Sequence, residues 1–100
     1  SFIRYTSIQA SHSKNRILFS NPANIKGRQN LTIRISYDEG KTWKYSKTLS
    51  EGPSAYSSMT ILPDGTIGIL FEQGEKKIYE KSSFARFNLE WLTDGMDKFD

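Results

Sequence analysis

Three side chains with chemical reach stand in one order within half of this 100-residue chain: Arg28, Tyr56 and Glu72. A guanidinium is a planar fork that donates two parallel N–H bonds to a carboxylate and stays charged at any working pH. Arg28, in the loop Gly27-Arg28-Gln29-Asn30 ahead of a strand-like run, is therefore a candidate for holding an anion. Tyr56, between Ala55 and Ser57, is a candidate nucleophile. A phenol with an ordinary pKa of about 10 attacks poorly near neutrality unless a neighbouring base accepts its proton. Glu72 follows Leu70-Phe71 and puts a carboxylate at the end of a strand-like run. Each residue also has a plainer reading: a solvated loop arginine, a packed strand-end aromatic, and a surface ion pair of little energetic weight.

The elements that would position them are short and regularly spaced. Apolar alternation bounded by Gly, Pro, Asn, Asp or Ser predicts strands near residues 2–5, 16–20, 31–36, 44–49, 57–62, 66–71 and 84–88. Leu31, Ile33 and Ile35 share one strand face while Thr32 and Arg34 take the other, the pattern of a half-buried strand. Pro63-Asp64-Gly65 predicts a hairpin turn, because proline presets φ while Asp and Gly supply a side-chain bond and a permissive backbone. Residues 36–43 carry the pattern Ser-x-Asp-x-Gly-x-Thr-Trp, an Asp-box. In that turn Ser36 and Asp38 are expected to bond backbone amides, Gly40 to take φ > 0, and Thr42 and Trp43 to complete the motif with the indole packed beneath. A C-terminal helix of about two turns is expected between Asn88 and Gly95, with Asn88 as cap and Leu89 and Leu92 on one side.

Repeated antiparallel hairpins with an Asp-box predict an all-β fold built from β-propeller blades. A blade takes roughly 40 to 50 residues. About two blades' worth of material is present, too little for a ring, so the expectation is a part of a larger propeller completed by blades outside this sequence.

Composition narrows the function classes. The chain is 36% hydrophobic and 25% charged, ordinary for a water-soluble domain. No apolar run approaches membrane-spanning length, and residues 1–5 do not read as a signal peptide. The net charge of +3 is spread over scattered lysines rather than a dense basic stripe, which argues against nucleic-acid binding. With no cysteine and one histidine, His12, thiolate and histidine-cluster metal sites are excluded. Arg16 and Arg34, both in strands, are expected to pair with surface carboxylates. Arg4 and Arg86 are likewise left outside any site.

The chain resembles the sialidase (neuraminidase) family of retaining glycosidases. The likeness runs through residues 2–5, 16–22, Arg28, the Asp-box, 55–59, 62–66, 70–74 and 84–92. An Asp-box occurs in many propellers and is specific for fold alone; the ordered combination is more specific. The resemblance implies that residues 1–100 are the C-terminal part of a six-bladed propeller that removes terminal sialic acids from glycoconjugates. It implies that Tyr56 is the nucleophile, Arg28 the third member of an arginine triad that binds the substrate carboxylate, and Glu72 the brace of the first member. A phenol suits this substrate because the anomeric carbon carries a carboxylate, which would repel an attacking Asp or Glu. The acid/base aspartate, the base serving the tyrosine and the first two triad arginines would lie in earlier blades, so the segment alone is expected to be inactive. The resemblance implies no metal or organic cofactor, a sialylated glycan as substrate, and a secreted, periplasmic or cell-surface location. Two alternatives stay open: a propeller module that only binds glycans or proteins, and a structural Asp-box repeat. Hydrolase and trans-sialidase would share these residues.

Overall fold

A computed structural model describes residues 1–22, 29–73 and 81–99. Six strands follow in chain order: β1 (Phe2–Thr6), β2 (Arg16–Pro22), β3 (Gln29–Ser36), β4 (Tyr45–Ile61), β5 (Ile67–Gln73) and β6 (Lys81–Phe87). A single 3-10 turn (Ile8–Ala10) bridges β1 and β2, and a helix, α1 (Leu89–Leu92), follows β6. Every neighbouring pair is antiparallel in the order β1-β2-β3-β4-β5-β6.

The fold is all-β, with two antiparallel sheets that share one strand. The first half of β4 pairs with β3, from Tyr45↔Ile35 to Pro53↔Gln29, and its second half pairs with β5, from Ser54↔Gln73 to Ile61↔Ile67. Two separate strands were expected here, at 44–49 and 57–62. Gly52 and Pro53 look like a break in the sequence, yet the strand continues through them. Gly52 takes φ +88 and its N–H is caught by Asn30 Oδ1 at 3.1 Å, so the strand turns from one sheet into the other without a loop.

Leu31, Ile33 and Ile35 are fully buried on one face of β3, as their alternation predicts. They join Leu18 of β2 and Met59, Ile67, Ile69, Phe71 and Phe87 of the second sheet in one apolar core. The opposite face of β3 is more covered than the pattern indicated. Thr32 is buried and its hydroxyl lies 3.2 Å from that of Thr48, while Arg34 donates to Asn21 Oδ1 at 2.8 Å on β2 rather than to a carboxylate.

Local chemistry fixes the connections. In the Asp-box, Ser36 Oγ accepts from Gly40 N at 2.8 Å and donates to Asp38 Oδ1 at 2.7 Å. Asp38 accepts from Thr42 N at 2.8 Å and from the Thr42 hydroxyl at 2.6 Å. Those bonds from Thr42, and then the one from Ser36, hold the Asp38 carboxyl down to about 2. Gly40 sits at φ +87, and Trp43 lies beside Phe19 and Phe2 with ring centroids 5.8 and 6.3 Å away. In the second hairpin Asp64 accepts from Thr66 N at 3.1 Å and Thr66 Oγ1 at 2.6 Å, and Gly65 takes φ +85.

The C-terminal helix is one turn, not two. Asn88 caps it as expected, accepting from Trp91 N at 2.8 Å. Asp94 and Gly95 take φ 54 and 80, which ends the helix a turn early. The following segment folds back on the sheet through Asp97. Arg16, expected at the surface, is 1% exposed and donates to Asp97 Oδ2 and Oδ1 at 2.9 and 3.0 Å.

Candidate functional site

Tyr56 and Glu72 come together across the seam between β4 and β5. Ser57 pairs with Phe71 and Ser54 with Gln73, so Ala55 and Tyr56 together occupy the span opposite Glu72. One strand therefore carries an extra residue at this point, a β-bulge, and such bulges re-aim a side chain relative to the regular pleat. Tyr56 is 65% exposed and Glu72 half-buried. Both line a shallow depression of about 150 Å3 with Ser58, Leu70 and Ser82. Ser82 is the β6 partner of Glu72 in the register.

The neighbouring residues are tied into both sheets. Ser57, adjacent to Tyr56, has its hydroxyl 2.7 Å from that of Ser20 on β2, a tie between the two sheets next to the bulge. Phe71, adjacent to Glu72, is buried in the core. A phenol and a carboxylate so presented can share a ligand that approaches from the open side.

Arg28 lies outside the described residues. Gln29, which follows it, opens β3 and pairs with Pro53 in the middle of β4. Of the three residues singled out for chemistry, the structure thus brings two together. The Asp-box residues Ser36, Asp38, Gly40, Thr42 and Trp43 form a turn at the other end of β3, where the Ser36, Asp38 and Thr42 side chains bond one another and backbone amides and Trp43 packs beside Phe2 and Phe19. They are scaffold. The remaining arginines near the surface are paired: Arg4 with Glu39 and Arg86 with Asp64.

Sequence reasoning did not single out Ser58 and Ser82, because a serine in a strand carries no distinguishing signal until register pairs Ser82 with Glu72 and Ser58 with Leu70 at the same depression. It also placed Arg16 at the surface; a charged residue immediately before the apolar run Ile17-Leu18-Phe19 was the available hint of burial.

Among the described residues, no group of three or more His, Asp or Glu side chains is placed to hold a metal ion. No helix among them is long and apolar enough to cross a membrane.

Residues 5–69 match the family model described as a BNR repeat-like domain. The chain belongs to the BNR repeat-like domain family. Its relatives are sialidases, in keeping with the resemblance read from the sequence. A sialidase of Micromonospora viridifaciens is 47% identical over 76 residues, which is 76% of this chain and 11% of that protein. An exo-alpha-sialidase of Aspergillus fumigatus is 32% identical over 109 aligned positions, covering 95% of this chain and 26% of the relative. Among solved structures, the Hadza microbial sialidase Hz136 superposes with a TM-score of 0.68 at 39% identity, over 79% of this chain and 15% of that one. The BNR segment described here thus matches a portion of a sialidase propeller, and it spans only a small part of each relative's length.

Proposed function

We propose that this BNR segment supplies part of the active site of a retaining exo-α-sialidase, with its substrate a terminal sialic acid on a glycoconjugate. The observation that carries the proposal is Tyr56, placed on a bulge opposite Glu72 with both side chains on one depression. The relatives' names supply the reaction class. In this reading the Tyr56 oxygen attacks the anomeric carbon while its proton passes to a base in another blade. The glycosidic C–O bond breaks and the leaving oxygen takes a proton from an acid there. Water then cleaves the tyrosyl-glycoside, restoring the phenol. Arg28 would hold the substrate carboxylate and Glu72 would orient a partner guanidinium.

The surface supports a larger assembly. Phe2 on the first sheet and Phe84 on the second are large apolar residues left exposed. Neighbouring propeller blades would cover such faces.

The test is kinetic and uses the full-length protein. Tyr56→Phe is expected to lower kcat by roughly 10³-fold or more with the fold intact, and Glu72→Gln to lower kcat/KM by on the order of 10- to 100-fold. Near-normal turnover by Tyr56→Phe would remove the tyrosine from the chemistry and leave a glycan-binding propeller as the better reading.

A further inference from the structure

We propose that Ser20, a buried serine on β2, is a positioning residue that aims Tyr56 by holding the next residue, Ser57, an inference that rests on the sialidase reading of Tyr56. The two hydroxyl oxygens lie 2.7 Å apart across the seam between the sheets, and Ser20 is 1% exposed. Ser20 is therefore out of reach of a substrate. Whatever it does for the reaction passes through Ser57.

The backbone around Tyr56 needs such a hold. The strand turns at Gly52, where φ is +88, and its pairing with β3 ends at Pro53. The ladder with β5 opens at Ser54↔Gln73, is interrupted by the bulge, and resumes at Ser57↔Phe71. Tyr56 is the last residue of that irregular stretch, so the regular pleat does not set the direction of its side chain. Ser57 is the first residue fixed again, and it is fixed twice, by its ladder partner and by Ser20.

The residue types point the same way. Ser20 pairs with Ile33 and Ser57 with Phe71, while Leu18 and Met59, two positions along the same strands, belong with those partners to the apolar core. Two apolar side chains would fill this place, but apolar contact is non-directional and leaves the sheets free to slide. A hydrogen bond of 2.7 Å sets both distance and direction. Ser1 adds a second polar tie between the same strands: its carbonyl accepts from Ser20 N at 2.8 Å and its hydroxyl accepts from Met59 N at 3.3 Å. Ser20 is held by its backbone while its side chain holds Ser57.

A nucleophile that must meet the anomeric carbon loses rate steeply when displaced, on the order of 10²-fold for about 1 Å. Holding the sugar carboxylate, the role of the arginines, does not depend on that aim. The signature of a positioning residue here is thus a loss in kcat with little change in KM.

The test measures hydrolysis of an aryl sialoside by the full-length protein, well below its melting temperature. Ser20→Ala is expected to lower kcat by roughly 10- to 100-fold while KM stays within about twofold. Ser57→Ala is expected to act alike, and the double variant to lose no more than either single one, because each removes the same bond. Ser57→Thr keeps the hydroxyl and is expected to retain kcat within about threefold, whereas Ser57→Val, similar in shape but lacking it, should fall with Ser57→Ala. Tyr56→Phe, assayed alongside, separates the two claims. Turnover by Tyr56→Phe at the parent rate would overturn the nucleophile and the positioning role together. An inactive Tyr56→Phe would leave the nucleophile standing and the positioning role overturned if Ser20→Ala kept the parent kcat or raised KM alone, if the double variant lost the product of the single losses, or if Ser57→Val matched Ser57→Thr.

Discussion

Arg16 on β2 and Asp97 beyond α1, far apart in sequence, meet through two charge-assisted bonds of 2.9 and 3.0 Å, and the same carboxylate accepts the Tyr37 hydroxyl at 2.6 Å. Burial opposes ionisation of Asp97, but the bonds from Arg16 and Tyr37 outweigh it and hold the carboxyl below its usual range. Burial, and then the bond to Asp97, keep the Tyr37 phenol well above its own. The segment after the helix is thereby fastened to β2 and to the residue that follows β3.

Removing one partner strands the other's charge. Asp97→Ala is expected to destabilise the full-length protein by about 3 kcal/mol, because a buried guanidinium loses its counter-charge. Replacing both Arg16 and Asp97 with apolar residues of similar size is expected to cost much less. Denaturant unfolding of the single and double variants checks this; equal losses in both would contradict it.

Acid should loosen the Asp-box. The Asp38 carboxyl is held down to about 2 from an ordinary 3.8, by the Thr42 bonds first and the Ser36 bond after them. A depressed carboxylate contributes stability that is fully present above the unfolded value and disappears as pH falls through the folded one. The contribution is therefore expected to fade between pH 3.8 and about 2. A carbon NMR titration of the Asp38 carboxyl should give a midpoint near the lower end, and a midpoint at the ordinary value would contradict the bonding described.

Gly40 should resist substitution. At φ +87 it occupies left-handed backbone, and an L side chain there costs roughly 1–2 kcal/mol. Gly40→Ala is expected to lower stability by about that amount in thermal unfolding, while an unchanged melting temperature would argue against the turn geometry.

Ser57 ties the bulge to the first sheet through Ser20, hydroxyl to hydroxyl at 2.7 Å. Ser57→Ala is expected to cost about 1 kcal/mol, since the buried Ser20 hydroxyl then loses its partner. Ser57→Thr, which keeps the hydroxyl, should retain most of that stability. Equal losses in the two variants, read by unfolding, would assign the effect to packing instead.

What the sequence disclosed follows the range of each interaction. The Asp-box and the Asp64-Gly65 turn are built from side chains bonding amides a few residues away, so their types and spacing specify them. The buried face of Leu31, Ile33 and Ile35 follows from strand periodicity. The continuity of β4 was hidden because Gly52 and Pro53 carry turn chemistry, and only contacts with β3, the pairing of Pro53 with Gln29 and the bond from Gly52 N to Asn30, keep them within one strand. Arg16 was misplaced because its partner lies at the far end of the chain, where no local rule reaches. The likeness to sialidases drew attention to Tyr56 and Glu72. Their facing arrangement depends on a bulge that two-residue alternation does not announce.

The central claim is that Tyr56 forms a covalent bond to the sugar. Its most direct measurement is peptide mass spectrometry of the full-length protein after treatment with a mechanism-based fluorinated sialic acid. The expected result is a single glycosyl adduct on the peptide containing Tyr56, absent in Tyr56→Phe. An adduct on another residue, or complete inactivation with the Tyr56 peptide unmodified, would contradict it.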